Sequence, residues 1–538
     1  MAHVLERLVQ RAVAEPTAPC VRILPVTGAE VTLTCLQLLD CARSGWAVLA
    51  ARGVRAGDRL LISLPTGVPL LTGLLGAFWG GAVPALVAPC TGRGGVAFEQ
   101  EWRARVHLLQ PQALLCDFEG PDPGIPLIRV QDIRSRPATL SAGAWDWDRL
   151  AYIQFSSGAT GAPKGVALTW RAIHANLEAM GAGLPMTAED RAFSWLPLYH
   201  DMGLFGSFLL SLYCRAPLTL MDPARFARNP LRWFERMAEE RSTITATPPS
   251  ALCSALTLLR RSKVPLDLAS VTQFIVGSEH IPPRLVQEFY EVLVTHHAVT
   301  PTALRPVYGL AEATLAVTIP PCYRPPLRDT IHGPTLAEQG YARPHHEEAS
   351  QSWVAVGQPL AQIHVRIVAT DGSDCPERRV GTVWVQSPAL AQGSIDAGNF
   401  LPRVGAWLDT GDLGYRVGDE LFIVGRSKDL ILKKGRNYAP ERLEDLALLQ
   451  TGVRRVCAFG VYEETIATER VILLVEVQRL GGPSERDRLR LTLRSQLGAA
   501  GYEVDEVHFL PKGSLPLTTS GKLRRHHARA LFLAGELS

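Results

Sequence analysis

Arg59-Leu60-Leu61-Ile62-Ser63-Leu64, then Pro65-Thr66-Gly67, then Val68-Pro69-Leu70-Leu71-Thr72-Gly73-Leu74-Leu75-Gly76-Ala77-Phe78-Trp79-Gly80, then Gly81-Ala82-Val83-Pro84-Ala85-Leu86-Val87-Ala88-Pro89-Cys90: on this stretch the architecture turns. From Leu60 to Cys90 it carries no charged side chain and is long enough to cross a bilayer. Prolines 65, 69, 84 and 89, with glycines 67, 73, 76, 80 and 81, divide it instead. The divided run predicts a strand over Arg59–Leu64, a helix over about Val68–Gly80 and a second strand over Val83–Val87. Apolar throughout, these three pieces form a buried βαβ unit rather than a membrane span.

Outward from it, short apolar runs alternate with helix-length patterns: Ala113–Cys116, Leu150–Phe155, Leu218–Met221 and Ser270–Val276. Such alternation predicts α/β layers. From about Gly381 the pattern shortens to strands and turns (Gly381–Gln386, Glu420–Val424) punctuated by Gly411, Gly414 and Gly418, which predicts a small β-rich region. The charged segment Arg426-Ser427-Lys428-Asp429 then leads into a last piece of domain size, so a hinge is placed there. The expected organisation is a large multi-subdomain α/β body over 1–425 and a small mobile α+β domain over 426–538. Cys322–Ser352, with prolines, histidines and charges but no clear period, reads as a long loop or insertion rather than core.

The chain has 538 residues, 47% of them hydrophobic and 20% charged, and a net charge of +3, so it can bury a large core and presents no broad field for nucleic acid or an anionic membrane. The ten cysteines include no C-x-x-C pair, which favours reduced thiols. Glu6, Arg7, Arg11 and Glu15 stand where a signal peptide would be apolar, and a cytoplasmic address is expected. The histidine pairs at 296–297, 345–346 and 526–527 are expected on the surface.

Directly after the apolar run Leu150–Phe155 comes Ser156-Ser157-Gly158-Ala159-Thr160-Gly161-Ala162-Pro163-Lys164-Gly165. Glycines let backbone N–H groups approach an anion, Ser156, Ser157 and Thr160 can donate to phosphate oxygens, and Lys164 adds a positive charge. The segment is a candidate phosphate grip, although its spacing is not that of a Walker loop.

This segment resembles the phosphate loop of the adenylate-forming superfamily, which contains acyl-CoA synthetases, luciferases and peptide-synthetase adenylation domains. Further matches follow in family order. Val307-Tyr308-Gly309-Leu310-Ala311-Glu312-Ala313-Thr314 resembles the adenine and magnesium motif, implying nucleotide contacts at Tyr308 and Gly309 and a Mg2+ ligand at Glu312. The same resemblance places Gly277, Ser278 and Glu279 beside the nucleotide. Leu408-Asp409-Thr410-Gly411-Asp412 is similar to the motif whose last aspartate, here Asp412, accepts the ribose hydroxyls. Gly425-Arg426-Ser427-Lys428-Asp429 is similar to the hinge motif, implying a ribose contact for Arg426 and the pivot for Lys428. Leu515-Pro516-Leu517-Thr518-Thr519-Ser520-Gly521-Lys522 is similar to the C-terminal catalytic loop, which implies that Lys522 reaches the carboxylate and the α-phosphate. Leu517 departs from the family's usual basic residue, but the departure leaves Lys522 in place.

Charge explains why such groups are needed. A carboxylate attacking the α-phosphate of ATP brings two anions together, so cations and N–H donors must gather on the transferring phosphoryl group. No G-x-S-x-G elbow or H-E-x-x-H motif is present to suggest a covalent or zinc mechanism.

Three segments resemble the fatty acyl-AMP ligase branch: Trp195-Leu196-Pro197-Leu198-Tyr199-His200-Asp201-Met202-Gly203-Leu204, Gly425–Glu444, and the insertion-like Cys322–Ser352. Trp195, Leu196, Leu198, Met202, Leu204 and Phe205 suit an acyl chain, with core packing the alternative for about half of them; His200 is expected beside the reacting carboxylate, a satisfied buried histidine being its alternative. The resemblance implies ATP, Mg2+ and a fatty acid or similar apolar acid. It also implies transfer of the acyl group to the phosphopantetheine arm of a carrier protein in trans, since no carrier site follows Ser538. An acyl-CoA synthetase and a non-catalytic binding protein of the same fold are the alternatives.

Overall fold

The computed structural model describes residues 2–89, 96–117, 125–133, 146–157, 163–262, 265–347, 349–464, 468–479, 481–518 and 521–537. The opening stretch folds as its prolines and glycines require. Arg59–Ser63 and Val83–Leu86 are parallel neighbours joined by the helix Val68–Gly80, and Ala113–Cys116 and Leu127–Ile128 extend the same parallel sheet. The glycines inside this helix are a contact stripe. A Cβ at Gly76 would lie 2.5 Å from the backbone of Gly45, and one at Gly80 would lie 2.0 Å from the Trp46 ring, so the helix Cys35–Ala51 can approach only because both are bare. No helix among the described residues is long and apolar enough to cross a membrane.

A second sheet holds seven strands in the order Leu304–Pro306, Gln273–Val276, Ile244–Thr247, Ala192–Ser194, Leu218–Met221, Pro19–Leu24 and Val31–Thr34. All neighbours are parallel except the last pair. A third sheet is antiparallel and joins distant segments: Leu150–Ser157 and Pro163–Thr169 form a hairpin, to which Gly393–Asp396 and Asn399–Pro402 are added.

The β-rich region begins earlier than expected. His364–Val368 pairs with Gly381–Gln386, followed by Leu408–Val417 and Glu420–Arg426, so the sheet starts before Gly381. The expectation of a long loop at Cys322–Ser352 is corrected more strongly. Arg328–His332 pairs antiparallel with Ser350–Val354, the helix Gly333–Gln339 lies between them, and Ile331, Ala342 and Trp353 share a core with Tyr415, Phe422 and Val424. Polar ties hold the segment on the β-rich region. Asp329 accepts from Arg378 (2.9 Å) and from the Tyr415 hydroxyl (3.0 Å), while the buried Arg305 donates to the carbonyls of Pro321 and Cys322.

After Gly425 a single 3-10 turn, Ser427–Asp429, precedes a separate set of elements. These are the hairpin Ile431–Lys433 with Arg436–Tyr438, a three-stranded sheet (Val453–Glu463, Thr468–Val477, Glu506–Leu510) and helices Pro440–Ala447, Pro483–Ala499 and Arg525–Leu533. Among the described residues, each apolar core is drawn either from positions up to Val424 or from positions after Ile431 inclusive, and none from both. The two groups meet through polar contacts: Arg436 with Glu338 (2.7 Å), Gln351 with the Tyr502 hydroxyl (2.8 Å) and His280 with Asp445 (2.9 Å).

One smaller expectation is corrected. His297 is buried, and its Nδ1 accepts from the Leu266 amide, so it is structural rather than a surface residue. His526 is exposed as expected, and it is bound to Asp429 at 3.0 Å, tying the last helix to the turn after Gly425.

Candidate active site

The hairpin Leu150–Ser157/Pro163–Thr169 sets Ser156 opposite Lys164 and Ser157 opposite Pro163. The tip of the proposed phosphate loop, with Gly158, Thr160 and Gly161, lies outside the described residues. Lys164 stands at the end of its strand with its side chain 47% exposed, and its Nζ is 3.9 Å from Glu312 Oε1.

Glu312 occupies one turn of 3-10 helix, Ala311–Ala313, whose geometry is imposed from both sides. At Gly309 a Cβ would fall 1.9 Å from the Leu315 carbonyl oxygen, so only glycine permits that approach. Thr314 closes the turn at φ +66, a strained value for a branched residue, and is held there by full burial and a 2.7 Å bond from its hydroxyl to the Ala389 carbonyl. The backbone is thereby constrained while the Glu312 carboxylate stays 29% exposed.

Tyr308, Asp412 and Arg426 form a chain. The buried Tyr308 hydroxyl donates to Asp412 Oδ2 at 2.6 Å, and Arg426 Nε donates to Oδ1 at 2.9 Å. Burial raises the Tyr308 phenol well above its ordinary range, and the Asp412 charge adds to the effect, so Tyr308 remains a donor. Asp412 is positioned by its own loop, where Thr410 Oγ accepts its amide at 3.1 Å and Gly411 turns at φ +71.

His200 opens the short helix Asp201–Gly203, and Gly203 is required because a Cβ there would lie 2.3 Å from the Pro197 carbonyl oxygen. The His200 Nε2 is closed to solvent and has no hydrogen-bond partner among the described residues. Burial, with the cations Lys522 and Arg105 adding to it, lowers His200 to about 3, so the ring is neutral at ordinary pH. Asp201 is raised, chiefly by burial, with Glu312 acting in the same direction and Lys522 opposing. The Lys522 ammonium, carried by the last piece of the chain, thus lies near enough to both residues of the large body for its charge to influence them.

Lys522 sits on a clasped loop. The Thr518 amide donates to the Lys522 carbonyl (2.7 Å), the Lys522 amide donates to Thr518 Oγ (3.0 Å), and Gly521 has φ +88. Ser278 also adopts a left-handed conformation (φ +72), and Glu279 is occupied with the amide and hydroxyl of Ser250, both at 3.0 Å. Trp195, Leu196, Leu198, Met202, Leu204 and Phe205 are all buried in the main core, with Trp195 stacked on Phe226 at 3.7 Å.

Two contributors escaped sequence reasoning. Asp201 directly follows His200, and its position in the same short motif was signal enough to include it. Gln154, a polar residue in an otherwise apolar strand, donates from its buried amide to the Tyr199 carbonyl at 3.0 Å and so fixes the backbone before His200.

Among the described residues no cluster of three or more His, Cys, Asp or Glu could hold a metal. One partly exposed carboxylate, Glu312, fits a cation that is otherwise held by phosphate oxygens and water, as Mg2+ is in nucleotide sites.

A family model described as AMP-binding enzyme matches residues 8–394. The long-chain-fatty-acid--AMP ligase FadD23 of Mycobacterium tuberculosis (strain CDC 1551 / Oshkosh) is 29% identical over 528 residues, covering 90% of this chain and 88% of that protein. A solved chain from a study of the fatty acyl-adenylate ligases of E. coli and L. pneumophila superposes with a TM-score of 0.89 at 26% identity, covering 99% of this chain and 98% of its own. The L. pneumophila fatty acyl-adenylate ligase in complex with acyl adenylate and pyrophosphate gives a TM-score of 0.75 at 27% identity, covering 99% and 96%.

Proposed function

Since the chain belongs to the AMP-binding enzyme family, we propose that it is a fatty acyl-AMP ligase: it joins a fatty acid to AMP, releases pyrophosphate, and passes the acyl group to a carrier-protein thiol. The observation that carries this reading is the site geometry: Tyr308, Asp412 and Arg426 joined in one hydrogen-bonded chain, with Lys164 3.9 Å from Glu312.

In the first step a carboxylate oxygen attacks the α-phosphorus and the bond to the bridging oxygen of pyrophosphate breaks. Lys522 balances the charge that gathers on the transferring phosphoryl group. Ser156, Ser157, Gly158, Thr160, Gly161 and Lys164 hold the phosphates, while Asp412 and Arg426 orient the ribose and Tyr308 fixes the Asp412 carboxylate. Gly309 lines the adenine, and Gly277 and Ser278 lie along the nucleotide. Glu279, bonded to Ser250, contributes through its backbone. Glu312 would hold Mg2+, which when bound neutralises phosphate charge. Neutral His200, packed tilted against Tyr199 with ring centroids 4.8 Å apart, shapes the carboxylate end of the acyl pocket and adds no charge to it. In the second step a thiol attacks the acyl carbon and AMP leaves.

The two pieces 1–425 and 426–538 act as body and mobile domain in this reading, supported by the segregation of their apolar cores. Arg454 and Arg455 both pair with the buried Glu476, at 3.3 and 3.5 Å, so one carboxylate offsets part of the basic charge that the phosphorylated head of coenzyme A would need. With ATP, a panel of fatty acids and either coenzyme A or a phosphopantetheinylated carrier protein, mass analysis is expected to find acyl-carrier and little acyl-CoA. Abundant acyl-CoA would replace the carrier by coenzyme A as acceptor and leave the adenylation step untouched. The reading also places the enzyme in the cytoplasm.

A further inference from the structure

We propose that His280 and Asp445 form a protonation-dependent latch that holds the last domain in the arrangement where Lys522 meets the acyl site, a proposal that rests on the adenylation reading above. His280 lies on the body, just before the helix Pro283–Phe289, and Asp445 lies on the helix Pro440–Ala447 of the last domain. Their side chains meet at 2.9 Å (Nε2 to Oδ2) and are only 19% and 11% exposed, so this is a largely desolvated link between the two pieces. Two neighbours fix its geometry. Trp353 packs edge-on against the His280 ring at 5.6 Å, and Arg284 Nη1 donates to the Leu448 carbonyl at 3.4 Å.

Charges from both sides face the pair. From the helix Pro440–Ala447 come Asp445, Glu441 and Arg442, and Glu441 is held by Arg525 at 3.0 Å. From the body comes Arg284, whose guanidinium reaches the Leu448 carbonyl beside the pair, while Trp353 brings no charge. Burial alone would lower the histidine, but Asp445, by charge and by hydrogen bond, and then Glu441 outweigh it, and His280 is raised above its ordinary value. A histidine raised on docking stabilises the docked arrangement fully below its undocked value of roughly 6.5, and loses that contribution as pH climbs through the docked value. The latch therefore holds in mildly acid to neutral solution and loosens as pH rises.

Closure by such a pair positions Lys522 without touching substrate, so it alters the turnover of the adenylation step rather than affinity for ATP or acid. The test measures pyrophosphate release by the full chain between pH 6.5 and 8.5 for the parent, His280→Ala, Asp445→Asn, the double variant and His280→Lys. His280→Ala is expected to lower kcat about fivefold to thirtyfold at pH 6.5, the weight of one desolvated charge contact, with KM unchanged and the gap narrowing as pH rises. The double variant is expected to lose no more than either single one. His280→Lys, charged throughout this range, is expected to keep the parent rate at pH 6.5 and retain it at pH 8.5. Thioester formation from preformed acyl-AMP is expected to be undiminished in every variant. Parent-like rates for His280→Ala at pH 6.5, additive losses in the double variant, or one pH profile shared by parent and His280→Lys would each overturn the latch. A parent that releases no pyrophosphate with any fatty acid would instead overturn the adenylation reading itself.

Discussion

Lys522→Ala is expected to reduce pyrophosphate release with a fatty acid and ATP by at least ~10²-fold, the scale on which one preorganised contact to developing charge is lost. The fold is expected to survive, because the loop is held by backbone bonds between Thr518 and Lys522 and by the buried Leu515, none of which uses the ammonium group. His200 and Asp201, on which Lys522 acts, belong to the large body, so the substitution empties one end of an otherwise complete site. Thermal melting of the variant should match that of the parent. The reverse half-reaction, ATP synthesis from acyl-AMP and pyrophosphate, should fall by the same factor, since it crosses the same transition state. An unchanged rate of pyrophosphate release would remove Lys522 from the chemistry.

Lys428→Pro is expected to separate the two half-reactions. Lys428 is the middle residue of the 3-10 turn Ser427–Asp429, exposed, three residues after Gly425 at φ +150 and directly before Asp429, which His526 anchors to the last helix. Proline fixes φ near −65° and restricts the residue before it, so one static arrangement can persist while rotation between arrangements is hindered. Acyl transfer to a carrier should fall roughly tenfold or more relative to adenylation, as when a hinge rather than a reacting group is altered. Equal losses in both half-reactions would place the pivot elsewhere.

How far such features can be read from sequence depends on how local their cause is. The βαβ unit over Arg59–Val87 was legible because prolines and glycines act on their own turn, and the helix came out at Val68–Gly80. The Gly45–Gly76 approach that makes the helix glycines useful was not, because it is a contact between two helices. Cys322–Ser352 reads as loop because its strands are short, partly exposed and polar, and become strands only by pairing with each other on the β-rich region. The addition of Gly393–Pro402 to the hairpin Leu150–Thr169 is equally nonlocal.

In the site, residues within short motifs were the legible ones. Tyr308, Glu312, Asp412, Arg426 and Lys522 each sit beside glycines or turns whose backbone demands are visible in sequence, and the structure joins Tyr308, Asp412 and Arg426 in one chain. His280 and Asp445 were hidden because nothing local to either residue announces the other. The apolar residues from Trp195 to Phe205 pack in the main core, and burial alone does not separate a pocket wall from a core.

The most direct test of the central claim is the fate of the carboxylate oxygens. With a fatty acid labelled in both carboxylate oxygens with ¹⁸O, unlabelled ATP and a phosphopantetheinylated carrier, attack on the α-phosphorus places one ¹⁸O in the bridge of acyl-AMP, and it departs with AMP when the thiol takes the acyl group. The account predicts AMP carrying one ¹⁸O, unlabelled pyrophosphate, and an acyl thioester retaining the other label. Unlabelled AMP, or label in inorganic phosphate, would contradict it.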